Sequence, residues 1–494
     1  MMHPLDPFHK KKKRRWPYIV LFVIFLLGVG IYGAFRWVTS LTPEQLLQSE
    51  LTRDLIRGYI GEENKDLVDL VPPFLGFDEP RTYLLLFLNN TEIRPGGGFI
   101  GSYATVRVDK GHVEILAFDG TENLDAGTPK DWSPVPPSII TRELYVDKWY
   151  FRDSNWSPDF AVNAKQALLY YRAEGGTAAQ EIDAIVGVTP TVLEELLRLT
   201  GPLTIQGMTF TADTVTKQLE DEVEFQYKQR GLAVEERKQI LQPFFRRLID
   251  TLAIDAFAKP DVYLTLIKNM IAQRHIMGYA FDADLQKPMK ELDLVQSVAM
   301  VDYDYLMWVD ANLGALKTDA VIRRHVTYET RDIEGAHYRV ARMTYVHPTG
   351  FDKFTTRYRT YARAFVPKDS ILHSATIINP NGTRTPIPVG EVDQGVDLDK
   401  QWFGAFTVIE PNTTESLEFV YQLSPAVRRQ IDNGGYQLLV QKQPGTTRPE
   451  LTLDLGFDTT IAGANPGEQE AHFGDSRYQI ETDLLVDRSF AVEL

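Results

Sequence analysis

The sequence has no cysteine at all. That excludes disulfides, thiolate metal sites and cysteine nucleophiles, and it is compatible with either redox compartment. Excess positive charge is also missing. Against 67 acidic residues stand 52 lysines and arginines, for a formal charge of -15. A general nucleic-acid binder needs a basic face to neutralise phosphates, so nucleic acid is not an expected partner. No Gly-x-Ser-x-Gly, Walker loop or His-Glu-x-x-His is present, and none of the 9 histidines has a partner at metal-ligand spacing. Internal repeats and low-complexity segments are absent too. Only one apolar run is long enough to cross a bilayer, so a chain that crosses there has no second span to return by.

What remains is a globular composition, 44% hydrophobic and 24% charged, in 494 residues. This length predicts two or three domains. The apolar run is Tyr18 to Phe35, preceded by the six cations Lys10 to Arg15. About 18 to 20 apolar residues span a hydrocarbon core of about 30 Å. Trp16, Tyr18 and Trp37 stand at its ends as interfacial aromatics do. The cations place the N-terminus in the cytoplasm by the positive-inside rule. A cleaved signal peptide is the rival, but no small-x-small cleavage site follows. The expectation is a single-pass signal anchor in the cell membrane, with an extracytoplasmic C-terminal part. Residues 1–16 form the basic tail, 17–38 the transmembrane helix, and 39–80 a juxtamembrane helical spacer.

The stretch the rest is organised around is Asn89 to Tyr103. Thr82 to Leu88 before it is wholly apolar and reads as a strand buried on both faces; Tyr103 to Val108 after it is a second strand. Gly96, Gly97 and Gly98 between them permit positive φ and close approach of another group. Arg94 adds a forked, permanently charged donor, with Glu92 nearby. Two readings stand: an anion-binding or catalytic loop, or a tight structural turn. From residue 81 to 320 strands alternate with helices, which predicts an α/β domain. Asp109-Lys110-Gly111 marks a hairpin turn, after which Asp119, Glu122 and Asp125 could hold a hard cation such as magnesium or form a solvated acidic loop. Arg152, Asp153 and Asn155 precede the helix start at Ser157-Pro158-Asp159. There Arg152 could grip a phosphate oxygen and Asp153 could bind metal or act as a base; bracing the turn is the alternative. Arg237 and Lys238, on a charged helix, could extend a phosphate site, although a solvated face is the default.

From residue 321 to 494 the pattern becomes short alternating strands separated by turns such as Asn379-Pro-Asn-Gly382, which predicts a β-sandwich domain. Exposed tyrosines and arginines on these strands could bind glycan or serve cross-strand pairing.

With these residues in hand, a resemblance can be stated. Asn89-Asn-x-Glu-x-Arg-x-Gly-Gly-Gly-Phe-Ile-Gly-Ser-Tyr103 and Arg152-Asp-Ser-Asn-Trp-Ser-Pro-Asp-Phe160 resemble the bacterial "domain of unknown function 4012" family. Ile182 to Val188, Leu199 to Leu203, Asp302 to Leu306 and Val309 to Gly314 fit it as well. The order of parts is also similar to the LytR-CpsA-Psr phosphotransferases, which move glycopolymers from polyprenyl-pyrophosphate carriers to the cell wall. That likeness implies a LytR-CpsA-Psr-like α/β fold and a polyprenyl-phosphate lipid and cell-wall glycan as partners. By motif, Arg94, Arg152 and Arg237 would hold phosphates and Asp153 would bind the metal; apart from the likeness, Gly96 to Gly98 are candidates to bind a phosphate and Asp119 to join a magnesium site. Arg94 is followed by Pro95 instead of completing that family's Arg-x-Asp loop, and Arg237-Lys-Gln-Ile matches its last motif in part. The alternative function is a non-catalytic surface protein recognising glycan, lipid phosphate or a protein partner.

Overall fold

The computed structural model describes residues 72–494, apart from residue 315 and stretches between 227 and 258. The expected tail, transmembrane helix and most of the spacer therefore lie outside the described residues, and so does Arg237. Among the described residues no helix is long and apolar enough to cross a membrane.

The chain is mixed α/β with several sheets. Its strands are β1 (Arg81–Asn89), β2 (Phe99–Asp109), β3 (His112–Gly120), β4 (Ala184–Val188), β5 (Leu203–Ile205), β6 (Met208–Phe210) and β7 (Ile276–Ala280). There follow β8 (Asp304–Asn312), β9 (Arg323–Ile333), β10 (Ala336–His347), β11 (Tyr358–Pro367), β12 (Ile371–Ile378), β13 (Arg384–Ile387) and β14 (Asp393–Asp397). The last are β15 (Lys400–Ile409), β16 (Thr413–Gln422), β17 (Gly435–Val440), β18 (Glu450–Gly456), β19 (Gly463–Asn465), β20 (Arg477–Asp483) and β21 (Arg488–Glu493). The helices used below are α1 (Thr121–Ala126), α2 (Phe160–Ala173) and α3 (Pro190–Thr200).

Two compact units emerge, neither contiguous in sequence. Among the described residues, one draws on those of 72–85, 103–119 and 200–263. In it the turn from β2 to β3 places Lys110 and Gly111 at φ 50° and 75°, the left-handed pair that a two-residue hairpin requires. Gly76, at φ 67°, lies so close to Val108 that a Cβ would sit 2.3 Å from its carbonyl oxygen.

The other unit comprises residues 86–102, 120–199 and 264–494. Its short antiparallel pair β4–β7 has Ala184 opposite Ala280. Gly187 on β4 is required by packing: a Cβ there would lie 2.8 Å from both Leu88 and Phe160. The helix that follows the Arg152 segment is capped by Asp159, which accepts from the Val162 amide at 3.1 Å. The other Asp159 oxygen accepts from Val298 at 3.0 Å, so one carboxylate ties the start of α2 to the approach to β8.

Most of this unit is two seven-stranded sheets, with orders β13-β12-β16-β10-β9-β18-β20 and β14-β15-β11-β8-β17-β21-β19. Trp308 from β8, Tyr328 from β9, Met343 from β10, Ala364 from β11, Phe403 from β15 and Phe419 from β16 belong to one buried cluster. The two sheets thus stack on a shared core. β8 lies inside the second sheet, pairing with β11 and, in parallel, with β17. The sheets therefore begin at Asp304, before the change of pattern at residue 321. The reason is that β8 is buried at every position, so it carries no alternation to mark it as a sheet strand of this kind.

Candidate functional site

The β1–β2 connection is packed throughout. Glu92, Arg94, Gly96, Gly97 and Gly98 are all buried. The Gly96 amide donates to the Asn155 carbonyl at 3.0 Å, and the Gly97 amide to the Arg94 carbonyl at 2.9 Å. A Cβ on Gly96 would lie 2.3 Å from Asn163 Nδ2; one on Gly98, where φ is 148°, would lie 2.5 Å from the Asn89 carbonyl carbon. Gly445 in turn approaches Gly97 so closely that its own Cβ would overlap the Gly97 carbonyl. Two of the three glycine amides are already used by backbone, so this loop is not an open anion cradle.

Arg94 is only 2% exposed. Its Nε donates to Asp153 Oδ1 at 3.2 Å and its Nη2 to Glu92 Oε1 at 3.2 Å. Nη1 donates to the carbonyls of Asn312 and Ile93, and Lys317 Nζ reaches the other Glu92 oxygen at 3.2 Å. Two carboxylates and two cations make a neutral buried group, which is the condition for charges to persist inside a protein. Burial opposes the Arg94 charge, yet Glu92 and Asp153 hold its pKa above the ordinary arginine value.

A second buried group continues the first. Asp319 Oδ2 accepts from the Ile93 amide at 2.9 Å and from Asn312 Nδ2 at 2.7 Å, and Arg324 bridges Asp319 to Asp310. Gln443 Nε2 donates to the carbonyls of Arg94 and Asp310, at 3.2 and 2.8 Å. Residues far apart in sequence, Arg94 and Asn312 being 218 apart, thus form one internal clasp. It joins the glycine turn, the segment before α2 and the end of β8.

Arg152 is directed elsewhere. Its Nε donates to Asp125 Oδ2, and its guanidinium lies 5.6 Å from the centre of the Tyr150 ring. Asp125 is in contact with Glu174, and both are buried. The Phe151 amide donates to Glu174 Oε1 at 2.9 Å. Asp125 Oδ1 and Glu174 Oε2 are both buried without a hydrogen-bond partner, and the two carboxyls interact directly. Two adjacent buried carboxyls resist ionising together, which favours one of them keeping its proton. Burial and then the Asp125 charge push Glu174 up to about 8. Burial raises Asp125 as well, against the pull of Arg152.

Of the expected site residues, the structure brings Arg94 and Asp153 together, but onto each other. Arg152 joins a neighbouring acid pair. Asp119 is the penultimate residue of β3. Among the described residues no three Asp, Glu, His or Cys side chains are placed to hold a metal ion. Since Asp153 already serves Arg94, the carboxylates do not fit the expected magnesium site. Sequence reasoning missed Lys317, Asp319, Arg324 and Glu174 as members of these groups. None carries a local motif; only the neighbourhood of Asp125 in an acidic run and of Asn312 in Val309 to Gly314 gave a signal.

No curated protein matches the chain. Among solved structures, a candidate nutrient binding protein from Legionella pneumophila is 7% identical, with a TM-score of 0.23 over 38% of this chain and 71% of its own. Leukotriene A4 hydrolase from Saccharomyces cerevisiae is 8% identical, with a TM-score of 0.18 over 35% of this chain and 28% of its own. Overlaps so slight carry nothing about fold or activity. Residues 78–223 match the family model described as a protein of unknown function (DUF4012), and they include the glycine turn, Arg94, Asp125, Arg152, Asp153 and Glu174. Through this segment, which is less than half of its length, the chain is similar to the DUF4012 family.

Proposed function

We propose that this chain is a single-pass, extracytoplasmic cell-envelope protein that binds envelope glycan without transforming it, its stacked sheets acting as a β-sandwich binding domain. The observation that supports binding over transfer is the saturation of Arg94. Pyrophosphate transfer requires guanidinium donors aimed at phosphate oxygens and free to stabilise developing charge. Here Nε, Nη1 and Nη2 of Arg94 all donate to protein acceptors. The signature motif then holds the architecture, and ligand recognition belongs to exposed side chains elsewhere. The apolar run at Tyr18 to Phe35 supports the membrane placement.

A second reading, glycopolymer transfer from a polyprenyl-pyrophosphate carrier, is favoured by one observation. The Arg152 side chain keeps 35% of its surface exposed beside a buried acid pair. The test uses the full chain in nanodiscs with a polyprenyl-pyrophosphate oligosaccharide, with and without magnesium, and a cell-wall glycan acceptor. Retention of the glycan with no transfer, unchanged in Arg152→Ala, is expected. Transfer that Arg152→Ala abolishes would overturn the binding reading.

A further inference from the structure

The edge strand β14 places Asp393, Gly395 and Asp397 on one face, because side chains alternate along a strand. Opposite them on β15 stand Gly404, Trp402 and Lys400 in that order. The Trp402 indole leans across the glycine. A Cβ on Gly395 would fall 2.9 Å from Trp402 Cζ2 and Nε1 and 3.0 Å from Cε2. Any larger residue there would push the ring away. Trp402 is half-buried, while Asp393 and Asp397 on either side are exposed. β14 ends its sheet, so the rim beside the indole is open along the strand.

Two polar features complete the place. Tyr361 Oη donates to Asp393 Oδ2 at 2.9 Å and fixes that carboxylate. One β15 strand further in, Arg363 stands opposite Gly404. It is 6% exposed, and its Cζ lies 5.3 Å from the Trp156 ring centre and 5.9 Å from that of Trp402. Its Nη2 donates to the Trp156 carbonyl at 3.0 Å, its Nε has no partner, and among the described residues no carboxylate forms an ion pair with it.

We propose that Trp402, lying across Gly395 between Asp393 and Asp397, is the stacking shelf for a pyranose unit of a neutral glycan. A pyranose has an apolar C–H face rimmed by hydroxyls. An aromatic plane takes the face, carboxylates accept from the hydroxyls, and a guanidinium donates to a ring or hydroxyl oxygen. At the surface the shelf carries the aromatic plane and the two carboxylates, and the buried Arg363 guanidinium lies 5.9 Å from the centre of the ring. The two exposed carboxylates disfavour an anionic polymer, and they flank the ring where a protein hot spot would be ringed by apolar contacts. The open edge lets a chain of sugars continue past the strand. This inference rests on the glycan-binding reading above and assigns it a place.

The test is calorimetry on the full chain in nanodiscs prepared without sugar detergents. The probes are tetrasaccharides of β-linked glucose, N-acetylglucosamine and mannose, with inositol as the non-pyranose control. At least one tetrasaccharide should bind, and inositol should not. Trp402→Ala should weaken binding at least tenfold, Asp393→Asn with Asp397→Asn several-fold, and Trp402→Phe less than Trp402→Ala. Near-UV circular dichroism of the Phe variant guards against misfolding. Binding that Trp402→Ala leaves intact overturns the shelf, as does binding of none of the three. A parallel arm measures retention on cell-wall glycan. Equal retention of the wild type and Trp402→Ala sinks the shelf but keeps the glycan-binding reading; no retention of either sinks that reading itself.

Discussion

Replacing Arg94 by methionine separates a structural clasp from a phosphate site. The side chain spans two carboxylates and two carbonyls and is almost wholly buried. Methionine keeps much of the apolar stem but leaves Asp153 without its cation, because Lys317 reaches only Glu92. Removing one partner of a buried ion pair costs about 3–5 kcal/mol, chiefly by stranding the other charge. With a urea dependence of about 2–3 kcal/mol per molar, the midpoint should fall by roughly 1.5 M. The assay is urea unfolding of the full chain followed by tryptophan fluorescence. Asp153→Asn in the same background should recover about 1–2 kcal/mol, since the stranded charge is then gone. An Arg94→Met protein with an unchanged midpoint that no longer binds polyprenyl pyrophosphate would refute the clasp and restore the phosphate role.

Other outcomes follow from the same geometry. Lys317→Met should cost only about 1 kcal/mol by the same assay, because its side chain is 18% exposed and Glu92 keeps Arg94. Gly98→Ala should cost about 3 kcal/mol or more, or block folding, since the new carbon meets Asn89 backbone at 2.5 Å in a left-handed conformation; an unchanged melting temperature would contradict this. Glu174, pushed up to about 8, binds a proton in the folded chain that the unfolded chain has lost. Its contribution is full below the ordinary glutamate range, and declines as pH rises through about 8. Glu174→Gln should therefore flatten the fall in stability between about pH 5 and 8, read from unfolding midpoints across that range. An identical slope in the variant would show that the acid pair does not keep its proton.

The sequence by itself determined the local elements and the places where a backbone must be unusual. Thr82 to Leu88 is strand because it is apolar on both faces, and the chain turns at Lys110-Gly111 because Gly111 takes positive φ without steric cost. Asp159 begins α2 because a short carboxylate can cap free amides. It also marked Arg94, the glycines and Asp153 as residues that matter. Only the tertiary structure decided what they do. A guanidinium that grips phosphate and one that clasps its own carboxylates look the same in sequence. The difference lies in what approaches from 218 residues away, and in the tight contacts that exclude everything else from the Gly96 to Gly98 turn. The same holds for Asp125 and Glu174, which only folding buries side by side. Trp402 tells the same story: Gly395 lies under its indole solely because β14 and β15 pair in that register.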